Sequence, residues 1–153
     1  MNYEMLQKFF NVRCDIDGFV SKLNRRTQLY ISFLPDNEAY DINFLYHALD
    51  PSVTYYFHPP VSCIQWTLSK LSAAPDVSAI VVLAVWKAAS YWPFLIDGDY
   101  FTWFVSEYVV FRPCYAYFSQ QAMFKGFRSY ATLAIFARTR NRHQIPLLNF
   151  SVC

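Results

Sequence analysis

Short apolar runs separated by turn signals divide this chain into predicted strands and helices. Residues 53–57 are all β-branched or aromatic, which is typical of a strand. Residues 78–85 form an apolar run rich in β-branched side chains, as expected for a strand that is covered on both faces. Four further segments show strand patterns, and these are residues 13–19, 27–33, 101–111 and 129–138.

Between the two clearest strands the apolar period changes to that of a helix. Ile64, Leu68 and Leu71 recur at helical spacing, with polar residues between them. A shorter helix interrupted by a proline is predicted for residues 87–95, and residues 39–49 fit either a helix or a loop with one helical turn. Strands that alternate with helices indicate an α/β sheet with parallel strands, and the last two strands, with no helix between them, predict an antiparallel edge.

Composition indicates one folded domain. The chain has 153 residues, of which 55% are hydrophobic and 20% aromatic, so it is long enough to bury a core. We interpret residues 1–138 as a single α/β domain and residues 139–153 as a basic C-terminal tail. The longest apolar run is too short to cross a bilayer, and the first residues lack the layout of a signal peptide. These features predict an intracellular protein, nuclear or cytoplasmic, with no membrane partner.

Charge and cysteine content restrict the kinds of site further. A net charge of +2 gives no strong overall field, but basic residues crowd the C-terminal part of the chain. A solvated tail and a phosphate-contacting surface both explain this cluster. The four cysteines lack the spacing of metal ligands, so the sequence predicts reduced thiols and no metal site. The candidate nucleic-acid contacts are Lys125, Arg128, Arg138 and Arg140.

A double proline at the end of the strongest strand marks a candidate site. The tetrapeptide consists of His58, Pro59, Pro60 and Val61. Neither proline donates an N–H group, so the pair ends the strand and directs the following helix. The same position at the carboxyl edge of a parallel sheet is where α/β folds bind ligands. A structural and a functional role for His58 therefore both remain open at this stage.

Several short motifs, in order, resemble a segment of DIRS-type tyrosine-recombinase retrotransposon polyproteins. That segment follows their reverse transcriptase and ribonuclease H regions. Residues 14–24 resemble its DLFAS-x-x-N motif, residues 33–39 its PDPEA motif, and residues 81–93 its VVP-x-W…W-P-L-L motif. The resemblance covers residues 13–112, and it continues more weakly to Arg138. The retroelement segment is in turn similar to phage-type Dam N6-adenine methyltransferases, which keep an Asn/Asp-Pro-Pro-Tyr/Phe motif at a strand end.

The resemblance implies a Rossmann-like, methyltransferase-type mixed sheet, mostly parallel with an antiparallel edge. It implies S-adenosylmethionine as cofactor, with Asp15 and Asp17 as its candidate contacts, and a flipped adenine at the double proline. His58 stands in place of the Asn/Asp acceptor, and only a neutral imidazole can accept a hydrogen bond. Val61 stands in place of the stacking ring, and Gly18 is the only glycine where a Gly-x-Gly loop would approach the cofactor.

Three hypotheses for the function follow. The leading one is a retroelement-derived methyltransferase-like domain with a degraded catalytic motif and an accessory, nucleic-acid-associated role. Its partners would be the DNA or DNA/RNA intermediate of the element and the other domains of the polyprotein. The first alternative is an active S-adenosylmethionine-dependent DNA adenine-N6 methyltransferase with a divergent motif. The second alternative is a structural or protein-interaction module.

Overall fold

The computed structural model describes residues 3–111, 131–140 and 143–147. Within these ranges the chain forms three helices, a large sheet of seven strands and a small hairpin. In chain order the elements are α1 (Tyr3–Phe10), β1 (Ile16–Val20), β2 (Leu29–Ser32), β3 (Asp41–Ile42), β4 (Thr54–Phe57), α2 (Val61–Ala73), β5 (Ser78–Ala84), α3 (Trp92–Leu95), β6 (Ile96–Asp97), β7 (Tyr100–Phe101), β8 (Val105–Phe111) and β9 (Thr132–Arg138).

The large sheet has the strand order β3-β2-β1-β4-β5-β9-β8. Strands β1 to β5 pair in parallel, whereas β9 runs antiparallel to both of its neighbours, β5 and β8. Six strands therefore share one direction, and only β9 is reversed. The predicted fold class, a mostly parallel Rossmann-like α/β sheet with an antiparallel edge, is confirmed.

Both faces of the central strands are buried, which explains why β5 reads as a continuous apolar run. Along β4, Tyr55 and Phe57 pack into a core that includes α2, while Tyr56 packs on the opposite face. That opposite face is covered by Leu6 and Phe10 of α1. Side chains that alternate along a strand thus enter two separate cores, one on the α2 side of the sheet and one on the α1 side.

Three local features differ from the sequence-based expectations. Helix α1 was not predicted. Residues 39–49 form the two-residue strand β3, which was not predicted, and a loop with a turn at residues 43–47, so the loop alternative is confirmed and the helix alternative is wrong. The helix predicted for residues 87–95 is reduced to the four residues of α3, because Pro93 lies at its beginning and the chain enters the hairpin of β6 and β7 directly after it.

The described part of the predicted C-terminal tail packs against the domain. The buried Thr139 hydroxyl accepts a hydrogen bond from the Val77 amide at 2.6 Å, and the Thr139 amide donates to the Val77 carbonyl. Further along, the Phe101 amide donates to Ile145, and Pro146 bridges to Tyr100. Residues 139 and 145–146 therefore lie against the α/β domain.

The connection from β1 to β2 has no helix, unlike the crossover of an ordinary βαβ unit. Residues 21–28 instead cross the α1 side of the sheet as turns and bends. Arg26 lies over the ring of Tyr56, 5.9 Å from its centroid, and its amide hydrogen-bonds to Asp17. The short crossover leaves room beside α1.

Candidate functional site

The switch point of the sheet lies between β1 and β4. From these neighbouring strands the chain proceeds in opposite directions, to β2 on one side and to β5 on the other. In open α/β sheets, ligands bind in the crevice outside the carboxyl ends of the strands at such a point. The end of β1 and the tetrapeptide that begins at His58 both lie at this edge.

The two prolines form the connection between β4 and α2. Pro59 is buried, and Pro60 has an extended backbone at the N-cap position of α2. The Pro60 carbonyl accepts a hydrogen bond of 2.8 Å from the Cys63 amide, and no side chain caps this helix. Val61, the first residue of α2, is half-buried and packs against the core on the α2 side. The double proline thus has the structural role that its sequence indicates.

His58 is accessible to solvent on one side, while surrounding protein atoms desolvate the rest of its ring. Burial, and to a smaller extent the positive charge of Arg26, lower the pKa of His58 to about 4. The imidazole is therefore neutral at neutral pH, and one of its nitrogens is an acceptor. A neutral imidazole can thus accept a hydrogen bond from an amine. It does so with a ring nitrogen, where the resembled motif has the oxygen of an Asn or Asp side chain.

The two predicted cofactor acids occupy different environments. Asp15 is exposed and precedes β1, and its carboxylate accepts a 2.9 Å hydrogen bond from the amide of Thr54 at the start of β4. It therefore lies at the amino edge of the sheet, opposite the switch-point crevice. Asp17 lies within β1 and is paired in register with Tyr56, on the α1 side. A cofactor role for these acids stays a prediction.

Asp17 is a buried carboxylate with one oxygen unsatisfied. Its Oδ2 atom accepts a 3.1 Å hydrogen bond from the Arg26 amide, whereas Oδ1 has no hydrogen-bond partner among the described residues. Burial raises the pKa of Asp17 to about 6, and the amides of Arg26 and Phe19 and the Arg26 charge oppose this shift. A carboxylate that lines a binding site would be better solvated than Asp17 is. Its hydrogen bond with the Arg26 amide instead links the β1–β2 connection to β1.

Aromatic rings fill the carboxyl end of β1 and β4. The Phe57 ring lies over Gly18, so close that a β-carbon at position 18 would sit 2.5 Å from Cε1 of that ring. Phe57 also contacts Phe44 and Phe19, with ring centroids 4.9 Å and 5.9 Å away. Phe19 and Phe44 are themselves 4.5 Å apart. The absence of a side chain at Gly18 is therefore required by the packing of Phe57.

The two described basic residues that were predicted to contact nucleic acid, Arg138 and Arg140, lie away from this edge. Arg138 is exposed at the end of β9, where it pairs with Ser78 at the start of β5, so it lies at the amino edge. Arg140 forms a bidentate ion pair with Asp76 through Nε and Nη2. Lys125 and Arg128 lie outside the described residues. Of the two described contacts, Arg138 is the one without a salt bridge to another described residue.

Sequence reasoning missed a buried chain of polar groups. Nδ1 of His47 lies 2.6 Å from Oδ2 of Asp41, and Nε2 of His47 lies 3.0 Å from the Tyr55 hydroxyl. The same hydroxyl accepts a hydrogen bond from the Asp50 amide. The bond from His47 to Asp41 is the main reason why the pKa of Asp41 is lowered. No local motif marks this network, because its members are joined only when the loop after β3 folds onto β4.

It also missed a cavity of about 880 Å³ at the amino edge, beside α1. The cavity is formed by α1, the link from α1 to β1, and the residues just before β2. Several basic residues are visible in the first 26 positions of the sequence, but their spacing does not predict that they line one cavity. Its lining residues are Tyr3, Glu4, Gln7, Lys8, Asn11, Val12, Arg13, Cys14, Asp15, Arg26, Thr27, Gln28 and Leu29.

Two other kinds of feature are absent from the part of the chain that the structure describes. Among the described residues, no three His, Cys, Asp or Glu side chains come together in a group that could hold a metal ion. No helix of the described ranges is long and apolar enough to cross a membrane; the longest, α2, has 13 residues. A scan against protein-family models finds no match, and no curated protein matches the sequence.

Proposed function

We propose that this chain is a retroelement-derived, methyltransferase-type domain that has lost methyl transfer and has an accessory, nucleic-acid-associated role. The observation that carries the proposal is the Phe57 ring packed over Gly18 at the switch point of the sheet. The fold and the position of the double proline support the ancestry. The contents of the crevice argue against the activity.

The residues of the crevice do not fit S-adenosylmethionine. Glycines at the first turn of such folds let the backbone approach a bound cofactor closely. Here the space above the single glycine, Gly18, is taken by Phe57, and Phe19 and Phe44 close the same end of the strands. A cofactor at this position would have to displace three packed rings, so we expect no binding.

The substrate side of the motif is altered as well. Neutral His58 retains an acceptor, but its ring differs in reach and plane from a carboxamide. Val61 packs into the core below α2 and offers no ring on which a base could stack. One of the contacts that would orient a flipped adenine is therefore altered and another is missing, and precise orientation contributes strongly to the rate of such a transfer.

Support for a nucleic-acid-associated role comes from the amino edge. Arg138 is exposed there, and the cavity beside α1 is lined by further basic side chains. Contacts of Lys and Arg with phosphates supply most of the affinity of sequence-independent nucleic-acid binding. We expect the partner to be a nucleic-acid intermediate of the element, with neighbouring domains of the polyprotein supplying the chemistry.

Calorimetry with S-adenosylmethionine tests the loss of activity. We expect no heat of binding for the wild-type chain. We also expect no methyl transfer to adenine in DNA after the double change His58→Asn and Val61→Tyr, because the crevice remains filled. Saturable cofactor binding, or methyl transfer by either protein, would establish the active enzyme instead. Nucleic-acid binding without salt dependence, or none at all, would favour the protein-interaction module.

A further inference from the structure

The cavity beside α1 is distinct from the switch-point crevice. It opens at the amino edge of β1 and β2, because its walls include residues 13–15 before β1 and residues 26–29 at the start of β2. Its volume of about 880 Å³ falls within the range of small-molecule sites. The missing crossover helix between β1 and β2 is what leaves this space open.

Three cations from three different segments line the cavity. They are Lys8 of α1, Arg13 of the following link and Arg26 of the β1–β2 connection. In the part of the chain that the structure describes, none of the three lies within salt-bridge distance of a carboxylate. Unpaired cations around one concave surface raise the local concentration of anions.

The two carboxylates of the lining leave this positive character in place. Asp15 turns its Oδ2 atom to the Thr54 amide, so part of its hydrogen-bonding capacity is already used. Glu4 is exposed on the first turn of α1, where its negative charge interacts favourably with the helix dipole. The lining therefore keeps one more cation than it has acids.

Uncharged groups of the lining suit the remainder of a nucleotide. Gln7 accepts a hydrogen bond from the Cys14 amide through Oε1, which leaves its NH₂ group as a donor. Leu29 and Val12 supply apolar surface, and the ring of Tyr3 is held edge-to-face against Tyr56 at 4.9 Å. Phosphate donors, an amide and an aromatic ring are the groups that bind single-stranded nucleic acid.

Asp17 fixes the wall that carries Arg26. Its carboxylate accepts from the Arg26 amide, and its own amide donates to the Thr27 hydroxyl at 2.8 Å. Arg26 lines the cavity, and its guanidinium lies over the ring of Tyr56, where its charge also acts on Asp17 and His58. The position of this cation is thus set by the fold and does not depend on a ligand.

We propose that this cavity binds the phosphate and base of nucleotides in a single strand. Lys8, Arg13 and Arg26 contact the phosphates, and Tyr3 and Leu29 face the sugar and base. Arg138 extends the positive surface, since it follows Phe136 by two residues and so shares the face of the sheet on which α1 lies. This site rests on the proposed nucleic-acid-associated role and identifies where that role resides.

Fluorescence anisotropy with a short labelled oligothymidylate tests the site in the full chain. The double variant Lys8→Gln and Arg13→Gln should bind about tenfold more weakly at moderate salt. Its slope of log affinity against log salt should fall by about 1.4, since each phosphate contact of a single strand contributes about 0.7. The matched control, Lys22→Gln with Lys87→Gln, removes the same charge after β1 and β5 at the opposite edge and should bind as the wild type does.

The outcomes separate this site from the broader proposal. Equal losses in both double variants would show a general charge effect and overturn the site. A loss confined to Arg138→Gln would also overturn it while the nucleic-acid role survives. No binding by the wild type would overturn both. If free thymidine monophosphate displaces the labelled oligonucleotide when both are at the same concentration, the cavity binds free nucleotides and not a strand.

Cross-linking provides a second test that needs no variant. A photoreactive oligothymidylate bound to the wild-type chain should label peptides that contain Tyr3 or residues 26–29. Labelling confined to peptides from the opposite edge, around His58, would overturn the site.

The variants used in the anisotropy measurements need a folding control. Thermal melts of each variant, recorded in parallel, distinguish a loss of binding from a loss of folding.

Discussion

Phe57 of β4 packs its ring directly over Gly18 of β1, where a β-carbon would come within 2.5 Å of Cε1. The two residues face the α2 side of the sheet at its switch point, as do their strand neighbours Ile16 and Tyr55. The Phe57 ring therefore covers a glycine at the position where open α/β sheets bind their ligands. The stability of the domain and the proposed loss of cofactor binding therefore depend on the same pair of residues.

Replacing Gly18 with Ala should destabilise the domain by about 1–3 kcal/mol, because the added methyl group overpacks against a ring that is fully buried. Urea unfolding at neutral pH measures the loss. In a Phe57→Leu background the same substitution should cost less, since the smaller side chain leaves room. An equal cost in both backgrounds would show that the two residues are not coupled.

The strand pattern of this chain could be predicted because β4 and β5 are buried on both faces and their composition reflects it. The strand order could not, since the pairing of Ser78 with Arg138 joins residues far apart in the chain. Helix α1 could also have been predicted, because its residues are amphipathic and its buried pair Leu6 and Phe10 has helical spacing, although Met5 and Phe9 beside them are exposed.

Some features of the candidate site could likewise be predicted from the sequence, and others could not. The double proline has a local signature, and its role in turning β4 into α2 follows from the chemistry of proline. The contact between Gly18 and Phe57 has no local signature, because it depends on the register of β1 against β4. The cavity beside α1 also requires three separate segments to meet, which no spacing in the sequence reveals.

Asp17 should make the protein less stable as the pH rises from about 4 to about 6. Its pKa is raised from 3.8 to about 6 by burial, so the folded state holds a proton that the unfolded state releases. The penalty is complete above the folded pKa and amounts to up to about 3 kcal/mol. Urea unfolding across this range should show the decline in the wild type and a flatter profile in Asp17→Asn. Parallel profiles would contradict a buried, titrating Asp17.

Asp41 should have the opposite effect at lower pH. The hydrogen bond from His47 lowers the pKa of Asp41, so its stabilising contribution is present above the unfolded value of 3.8 and is lost as the pH falls through the lower folded value. Asp41→Asn should thus be less stable than the wild type at neutral pH, and the difference should shrink in acid. A difference that stays constant with pH would exclude ionisation of the Asp41 carboxylate as its source.

His58 should remain neutral through the physiological range because burial, with a smaller contribution from the Arg26 charge, lowers its pKa to about 4. An NMR titration of the imidazole protons should therefore show its midpoint in acid. Arg26→Gln should raise the pKa of His58, yet leave it below 6.5, since burial is the larger cause. Arg25→Gln is the matched control: its guanidinium lies over Tyr30, 5.1 Å from the ring centroid, and donates to the Gln28 carbonyl. If both substitutions shift the midpoint equally, the effect is that of net charge alone, and Arg26 holds no specific place beside His58.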